Sequence, residues 1–236
     1  MSPSPTVVLV HGAFADASGF RGTIQLLEAA GHQVVAVPNP LRSLSGDAES
    51  VRRRVAAIEG PVVLVGHSYG GAVITQAADT LENVTALVYL AAFGLDVGES
   101  CLSVQAGYPP AMLATEGRPS PYDAPGAPGG PDLYIDRASF HEVFCADSSA
   151  EDAAVMAATQ RPISAAALGE PASAAAWKRL PSWFLLPDQD NAIPPAAMEF
   201  MARRMGATVE CVAGGSHTSF IVQPQVTAGL IERALV

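Results

Sequence analysis

The chain has 236 residues, of which 49% are hydrophobic and 15% are charged, so it can bury one sizeable core and does not belong to the disordered class. Acidic residues outnumber basic ones 23 to 13, and the formal net charge of −10 disfavours nucleic acid and membrane surfaces as partners. The three cysteines match no metal-ligand spacing. We expect neither a signal peptide nor a membrane anchor in the first residues, and we expect a cytoplasmic protein.

Short β-branched runs in the first 95 residues predict buried strands, since these runs are apolar on both faces. The runs cover residues 6–10, 33–37, 61–65 and 84–90. Between them, apolar residues recur at helical spacing, as Phe20, Ile24 and Leu27 do, and Gly31 stands where a helix C-cap is expected. This alternation predicts right-handed crossovers and a mostly parallel sheet with helices on both faces, the α/β class.

The alternation stops near residue 94. The Pro- and Gly-rich stretch at residues 117–132 predicts an irregular loop, and the alanine-rich stretches at residues 150–159 and 172–178 predict helices. This segment has few aliphatic side chains for a core of its own. We therefore expect a single α/β domain, with a core of residues 1–94 and 181–236 and an inserted cap of residues 95–180.

The alternation resumes after the cap. Residues 183–186 and 208–212 predict two further strands. A helix that carries Met198, Met201 and Met205 lies between them, and a last helix follows the second strand. We find no internal repeats.

The segment GHSYG at residues 66–70 matches the pattern G-x-S-x-G. The pattern alone is a weak signal, but here it stands directly after a predicted strand and before a predicted helix. A sharp strand-to-helix turn exposes the serine hydroxyl above the sheet and requires glycines on either side, because the two backbones pass closely. Ser68 is therefore the candidate nucleophile.

A serine nucleophile needs a general base, and the base needs a carboxylate. His217 follows the last predicted strand, so it can reach the same sheet edge as Ser68. Asp188 and Asp190 both follow the strand at residues 183–186, and spacing does not distinguish them. Two amides are expected to bind the oxyanion: that of Tyr69, and that of Ala13 in the loop after the first strand.

Four segments, VVLVHGAF, VVLVGHSYGG, DQDNAIPP and GGSH, resemble the α/β-hydrolase superfamily in order and spacing across essentially the whole chain. The chain is most similar to small members that include plant methylesterases, hydroxynitrile lyases and bacterial hydrolases of secondary metabolism. In that group the acid is the Asp of the D-x-x-I-P segment. The resemblance therefore implies Asp190, with Asp188 as the second choice.

The chain departs from two branches of that superfamily. Hydroxynitrile lyases of this type carry a Lys directly after the catalytic His, where this chain has Thr218, which counts against cyanohydrin cleavage. Haloalkane dehalogenases and epoxide hydrolases use an Asp nucleophile, and Ser68 excludes that chemistry.

These features predict a serine hydrolase that cleaves an ester, thioester or lactone of a small to medium apolar substrate through an acyl-enzyme. Phe14, Phe140, Met156 and Trp177, with Tyr69, are expected to line the substrate pocket. The alternatives are a lyase on the same scaffold, a cofactor-free perhydrolase and a non-catalytic small-molecule receptor. No motif indicates a metal, nucleotide or flavin, so no cofactor is expected. The sequence leaves the oligomeric state open, a homodimer included.

Overall fold

The computed structural model describes residues 4–122 and 130–235. In chain order its strands are β1 (Thr6–Val10), β2 (Val34–Val37), β3 (Val62–His67), β4 (Val84–Leu90), β5 (Gly117–Ser120), β6 (Asp132–Ile135), β7 (Ile163–Ser164), β8 (Ser182–Pro187) and β9 (Thr208–Val212). Its α-helices are α1 (Arg21–Ala29), α2 (Leu44–Ala56), α3 (Tyr69–Ala77), α4 (Leu113–Glu116), α5 (Phe140–Phe144), α6 (Ala150–Thr159), α7 (Ala165–Gly169), α8 (Pro195–Arg204), α9 (Ser219–Val222) and α10 (Pro224–Ala234). Short 3-10 helices cover Ala17–Phe20, Ala78–Thr80, Ser103–Gln105 and Ala176–Lys178. Within the described residues, no helix has both the length and the apolarity needed to cross a bilayer.

Six parallel strands form the central sheet in the order β2-β1-β3-β4-β8-β9. All six lie where the sequence predicts strands. Because the strands are parallel, their carboxyl ends meet at one edge of the sheet, and the loops that follow β1, β3, β8 and β9 start from that edge. The expectation of a mostly parallel α/β sheet is confirmed.

Helices cover both faces of this sheet, as the burial of β1 illustrates. Val8 and Val10 belong to the hydrophobic cluster that also contains the apolar faces of α2 and α3, whereas Val7 and Leu9 belong to the cluster of α1 and α10. All four side chains have 0% exposure. Burial of such a side chain contributes roughly 1.5–3 kcal/mol relative to leaving it in water, so a continuous apolar strand is stable only between two helical layers.

The segment between β4 and β8 packs against the α2 and α3 side of the sheet. Its strands form a small antiparallel sheet in the order β5-β6-β7. The side chains of Phe140, Phe144 and Ile163 belong to the same hydrophobic cluster as the central sheet. The inserted segment therefore shares a hydrophobic cluster with the central sheet.

Two expectations for this segment need correction. Residues 117–132 are not an irregular loop throughout, because β5 and the start of β6 fall within them; residues 123–129 lie outside the described part. Pro119 is tolerated because β5 is an edge strand, where a missing N–H need not break the ladder. Residues 172–178 form a loop and a short 3-10 helix, because the amides of Ala172 and Ser173 donate to Glu99 O (2.7 Å) and Gln76 Oε1 (2.9 Å). The predicted helix at 150–159 is confirmed as α6.

Candidate active site

Ser68 occupies a sharp turn between β3 and α3. Its backbone has φ 53° and ψ −124°, a strained conformation for a residue with a side chain. Its amide donates to Leu90 O (3.1 Å), and its carbonyl accepts from the amides of Gly71 (2.9 Å) and Phe93 (3.2 Å). These three bonds hold the strained conformation in place.

Glycines allow three chain segments to meet at this turn. A Cβ atom on Gly66 would lie 2.5 Å from Gly70 O, and one on Gly70 would overlap the carbonyl of Val10. A Cβ on Gly12, in the loop after β1, would lie 2.6 Å from the Cβ of Ser68. The loop after β1 thus packs directly against the turn that carries the serine.

His217, in the loop between β9 and α9, pairs with Asp190, in the loop after β8. Nδ1 of His217 lies 2.7 Å from Oδ2 of Asp190, and both side chains are almost fully buried. Oδ1 of Asp190 accepts from the amides of Ala192 (2.7 Å) and Ile193 (2.9 Å), so Oδ2 is left for the histidine. A carboxylate only accepts hydrogen bonds, so Nδ1 of His217 carries a proton, and in the neutral imidazole Nε2 is then an acceptor.

Asp188 lies elsewhere. It is exposed, and its Oδ1 accepts from the amide of Gly214 at 2.7 Å. Of the two carboxylates that the sequence left open, the structure brings Asp190 to His217. Asp188 stabilises the loop that follows β9 instead.

The loop that carries His217 is attached to the serine turn through His67. Nε2 of His67 lies 3.1 Å from the backbone oxygen of His217, and the centroids of the two rings are 4.8 Å apart. The ring of Phe144 lies 5.1 Å from that of His217, measured between centroids. On its other side, the amide of Ser216 donates to Asp147 at 3.0 Å. These contacts bring the histidine loop to the residue next to Ser68.

The amides expected to bind an oxyanion, those of Ala13 and Tyr69, belong to residues that border one cavity together with Ser68. In residues 4–122 and 130–235 neither N–H donates to a backbone carbonyl in a turn, loop or cap. The adjacent amide of Phe14, by contrast, donates to Arg161 O at 2.9 Å. Tyr69 is the first residue of α3, where an N–H has no partner within the helix. Both amides are therefore available to an oxygen anion.

His11 is a residue of this site to which the sequence analysis assigned no role. It has 1% exposure; its Nδ1 lies 2.9 Å from Gly12 O, and its Nε2 accepts from the amide of Asn39 at 3.0 Å. Burial, the largest effect, lowers its pKa below the ordinary value. A neutral His11 thus shapes the loop after β1, and its position before Gly12 at a strand end was the available signal.

The cavity beside Ser68 has a volume of about 590 Å³. Most of its wall is aliphatic or aromatic, including Phe93, Leu102, Leu113, Leu133, Leu168 and Ile193. Among the described residues that line it, none is charged. Such a volume is typical of a small-molecule site, and such a lining favours uncharged, apolar ligands.

Only part of the expected pocket lining holds. Phe14 and Tyr69 border the cavity, but Phe140 has 0% exposure and packs in the core. Met156 lies beside a separate gap of about 50 Å³, and Trp177 is half-buried, with its indole N–H donating to Leu95 O at 2.8 Å. The expectation failed for these three residues because the sequence identifies a side chain as apolar, whereas tertiary packing decides which of several apolar spaces that side chain enters.

Burial also sets the protonation of groups around the cavity. The Tyr69 hydroxyl donates to Oδ2 of the buried Asp47 at 2.8 Å. Burial, and then the nearby Asp47 carboxylate, raise the pKa of Tyr69, so its phenol stays protonated. Cys101 also borders the cavity, and burial raises the pKa of its thiol. Because the thiol stays protonated, Cys101 is not a thiolate nucleophile.

Known proteins resemble this chain in sequence and in fold. The family described as the alpha/beta hydrolase family matches residues 7–230. The chain belongs to this family. It is 26% identical to the alpha/beta hydrolase nvfD of Aspergillus novofumigatus, over 98% of this chain and 96% of that protein. It is 28% identical to the putative chloroplastic methylesterase 11 of Arabidopsis thaliana, over 95% of this chain and 62% of that protein.

A solved structure, that of polyneuridine aldehyde esterase, superposes with a TM-score of 0.85. The two sequences are 22% identical, and the match covers 98% of this chain and all of that one (100%). The predicted resemblance to small α/β-hydrolases related to plant methylesterases is confirmed. The protein is thus an α/β-hydrolase.

Proposed function

We propose that this protein hydrolyses a carboxylic ester through an acyl-enzyme on Ser68, with His217 as general base and Asp190 as its carboxylate. The buried Asp190–His217 pair, attached through His67 to the strained serine turn, carries the proposal. With its proton on Nδ1, His217 has a free Nε2 that can accept the serine proton. The neighbouring apolar cavity supplies a binding space for the substrate.

In acylation, His217 Nε2 takes the Ser68 hydroxyl proton as Oγ attacks the ester carbonyl carbon. The amides of Ala13 and Tyr69 bind the oxyanion that forms, and the N-terminus of α3 adds its positive dipole end. When the tetrahedral intermediate collapses, His217 returns the proton to the departing alcohol. The product of this half-reaction is the serine ester of the acyl group.

Deacylation repeats these steps with water. His217 takes a proton from water, whose oxygen attacks the acyl carbon in the same oxyanion site. Collapse releases the carboxylic acid and returns the proton to Ser68 Oγ. The net reaction consumes one ester and one water and yields one alcohol and one acid, with no cofactor required.

The cavity supports an uncharged, apolar ester of small to medium size as substrate. An anionic or cationic substituent would lose its hydration without a counter-charge, because no charged side chain lines the described wall. Two of the relatives above are esterases by name, which supports an ester over a thioester or a lactone.

A fluorophosphonate probe tests the nucleophile, because it phosphonylates only an activated serine. Intact-mass analysis should find one adduct on the wild type and none on Ser68→Ala. Ser182→Ala is the matched control, since Ser182 is also buried but its hydroxyl donates to Leu180 O. Hydrolysis of p-nitrophenyl esters should then favour butyrate over an analogue of equal length that ends in a carboxylate. A folded wild type that takes no adduct would refute the proposal.

A further inference from the structure

His67, the residue before Ser68, is enclosed by the active-site residues. It has 0% exposure, and its ring centroid lies 4.5 Å from that of Phe220 and 4.8 Å from that of His217. Its Nε2 lies 3.1 Å from the backbone oxygen of His217, a residue 150 positions away in the chain. His67 does not border the 590 Å³ cavity, so it does not contact a ligand bound there.

The hydrogen bond to His217 assigns the state of the His67 ring. A carbonyl oxygen only accepts, so Nε2 of His67 carries the proton and donates. Nδ1 is then an acceptor, and it is buried without a hydrogen-bond partner among the described residues. Burial, and then the proximity of His217, lower the pKa of His67 well below its ordinary value, so the ring stays neutral.

An unpaired buried acceptor destabilises a fold, and an apolar side chain would avoid that cost. What the imidazole adds at this position is therefore the one bond that it donates, the bond to the His217 carbonyl. That bond fixes the backbone of the residue whose ring must reach both Asp190 and Ser68. The Asp190 bond holds the His217 ring at one atom, and the Asp147 bond holds the amide of the preceding residue; the His67 bond is the one that holds the backbone oxygen of His217 itself.

We propose that His67 is a positioning residue, whose Nε2–H holds the His217 backbone so that the His217 ring stays aligned between Asp190 and Ser68. The proposal rests on the proposed function, because alignment of His217 matters only if it acts as the base. A shift of about 1 Å in a catalytic group can lower the rate by on the order of 10²-fold. Because His67 lies outside the cavity wall, the effect falls on kcat and not on KM.

The test compares His67→Gln with His67→Met, two side chains of nearly the same shape. Gln keeps an N–H donor for the His217 carbonyl, and Met does not. With a p-nitrophenyl ester, we expect His67→Met to lower kcat by about tenfold or more with KM within about threefold, and His67→Gln to restore most of that loss. Thermal unfolding should give similar stabilities for the two variants, which separates loss of alignment from loss of fold.

Two controls keep the outcome clear. Fluorophosphonate labelling of the wild type tests the proposed function itself: if wild type is not labelled, that function is wrong. If wild type is labelled and His67→Met has the kcat of His67→Gln, the positioning role alone is wrong. Nitrogen-15 spectra of the wild-type imidazoles test the same bond without a variant, and we expect His67 as the neutral Nε2–H tautomer throughout the active pH range. A protonated ring or the Nδ1–H tautomer would overturn the proposal.

Discussion

Replacement of Asp190 by Asn should change the chemistry of the proposed base, His217, while leaving the local packing almost intact. Oδ1 of Asp190 accepts two amides, those of Ala192 and Ile193, and an Asn oxygen can keep both bonds. The amide nitrogen of Asn then takes the place of Oδ2, 2.7 Å from His217 Nδ1. Because that nitrogen is a donor, His217 Nδ1 has to accept, and the imidazole proton moves to Nε2. A protonated Nε2 cannot take the proton of Ser68.

This geometry sets the expected magnitude. The wrong tautomer and the loss of the charge that stabilises the imidazolium together cost about 10⁴ in kcat for a triad of this kind, or about 5.4 kcal/mol in the barrier. The two amide bonds to Oδ1 survive, so we expect the free energy of unfolding to change by only about 1 kcal/mol. Activity and stability should therefore separate.

The assay is kcat/KM for p-nitrophenyl butyrate, with urea unfolding measured on the same preparations. Asp188→Asn is the matched control: its carboxylate is exposed and accepts from Gly214 N, a bond that an Asn oxygen can also make. The control should stay within about threefold of wild type. The reasoning is refuted if Asp190→Asn remains within about threefold of wild type while Asp188→Asn abolishes turnover.

Three further outcomes follow from the packing. In Gly12→Ala the added carbon would lie 2.6 Å from Ser68 Cβ, so we expect about 10²-fold lower kcat/KM, whereas Gly107→Ala, with no atom within 4 Å, should keep near wild-type activity. Iodoacetamide should label one native thiol, the exposed Cys211, because the other two are buried and burial raises the pKa of both thiols; peptide mass spectrometry showing three adducts would contradict this expectation. Burial lowers the pKa of His11 and His67 below the unfolded-state value near 6.5. The contribution of these two groups to the free energy of unfolding is therefore complete above that pKa. It is lost as the pH falls below 6.5, by up to about 1.4 kcal/mol per pH unit for each group. Urea unfolding at a series of pH values checks this, and no decline below that pKa would speak against it.

The central sheet was predictable because its signals are local. A β-branched run that is apolar on both faces has one stable environment, a strand between two helical layers, and the four such runs in the first 95 residues became strands of the central sheet, as did the two strands predicted after the inserted segment. The serine turn was predictable because its signal is also local: a G-x-S-x-G segment between a strand and a helix can adopt few backbone conformations. The small β5-β6-β7 sheet was missed because its strands are only two to four residues long and β5, with the sequence GRPS, carries no apolar pattern.

The site was predictable as a set of loops at one sheet edge, but not as a set of contacts. Parallel strands bring their carboxyl ends together whatever their side chains are, and this put Ser68, His217 and both candidate aspartates in one region. Local signals could not choose Asp190 over Asp188, since the two stand in the same loop; the choice came from family resemblance, and the geometry then agreed with it.

Side-chain periodicity and backbone preference act over a few residues, so they can be read along the chain, and they sufficed for the strands, the helices that flank them and the turn at Ser68. Asp190 meets His217 across 27 positions and His67 meets it across 150, so these contacts exist only after the strands have assembled in their order. The same holds for the cavity wall, because the direction in which Phe140 or Trp177 points depends on what packs behind it. Side chains also become buried only when the strands and helices assemble, and this burial keeps His67 neutral and Tyr69 protonated.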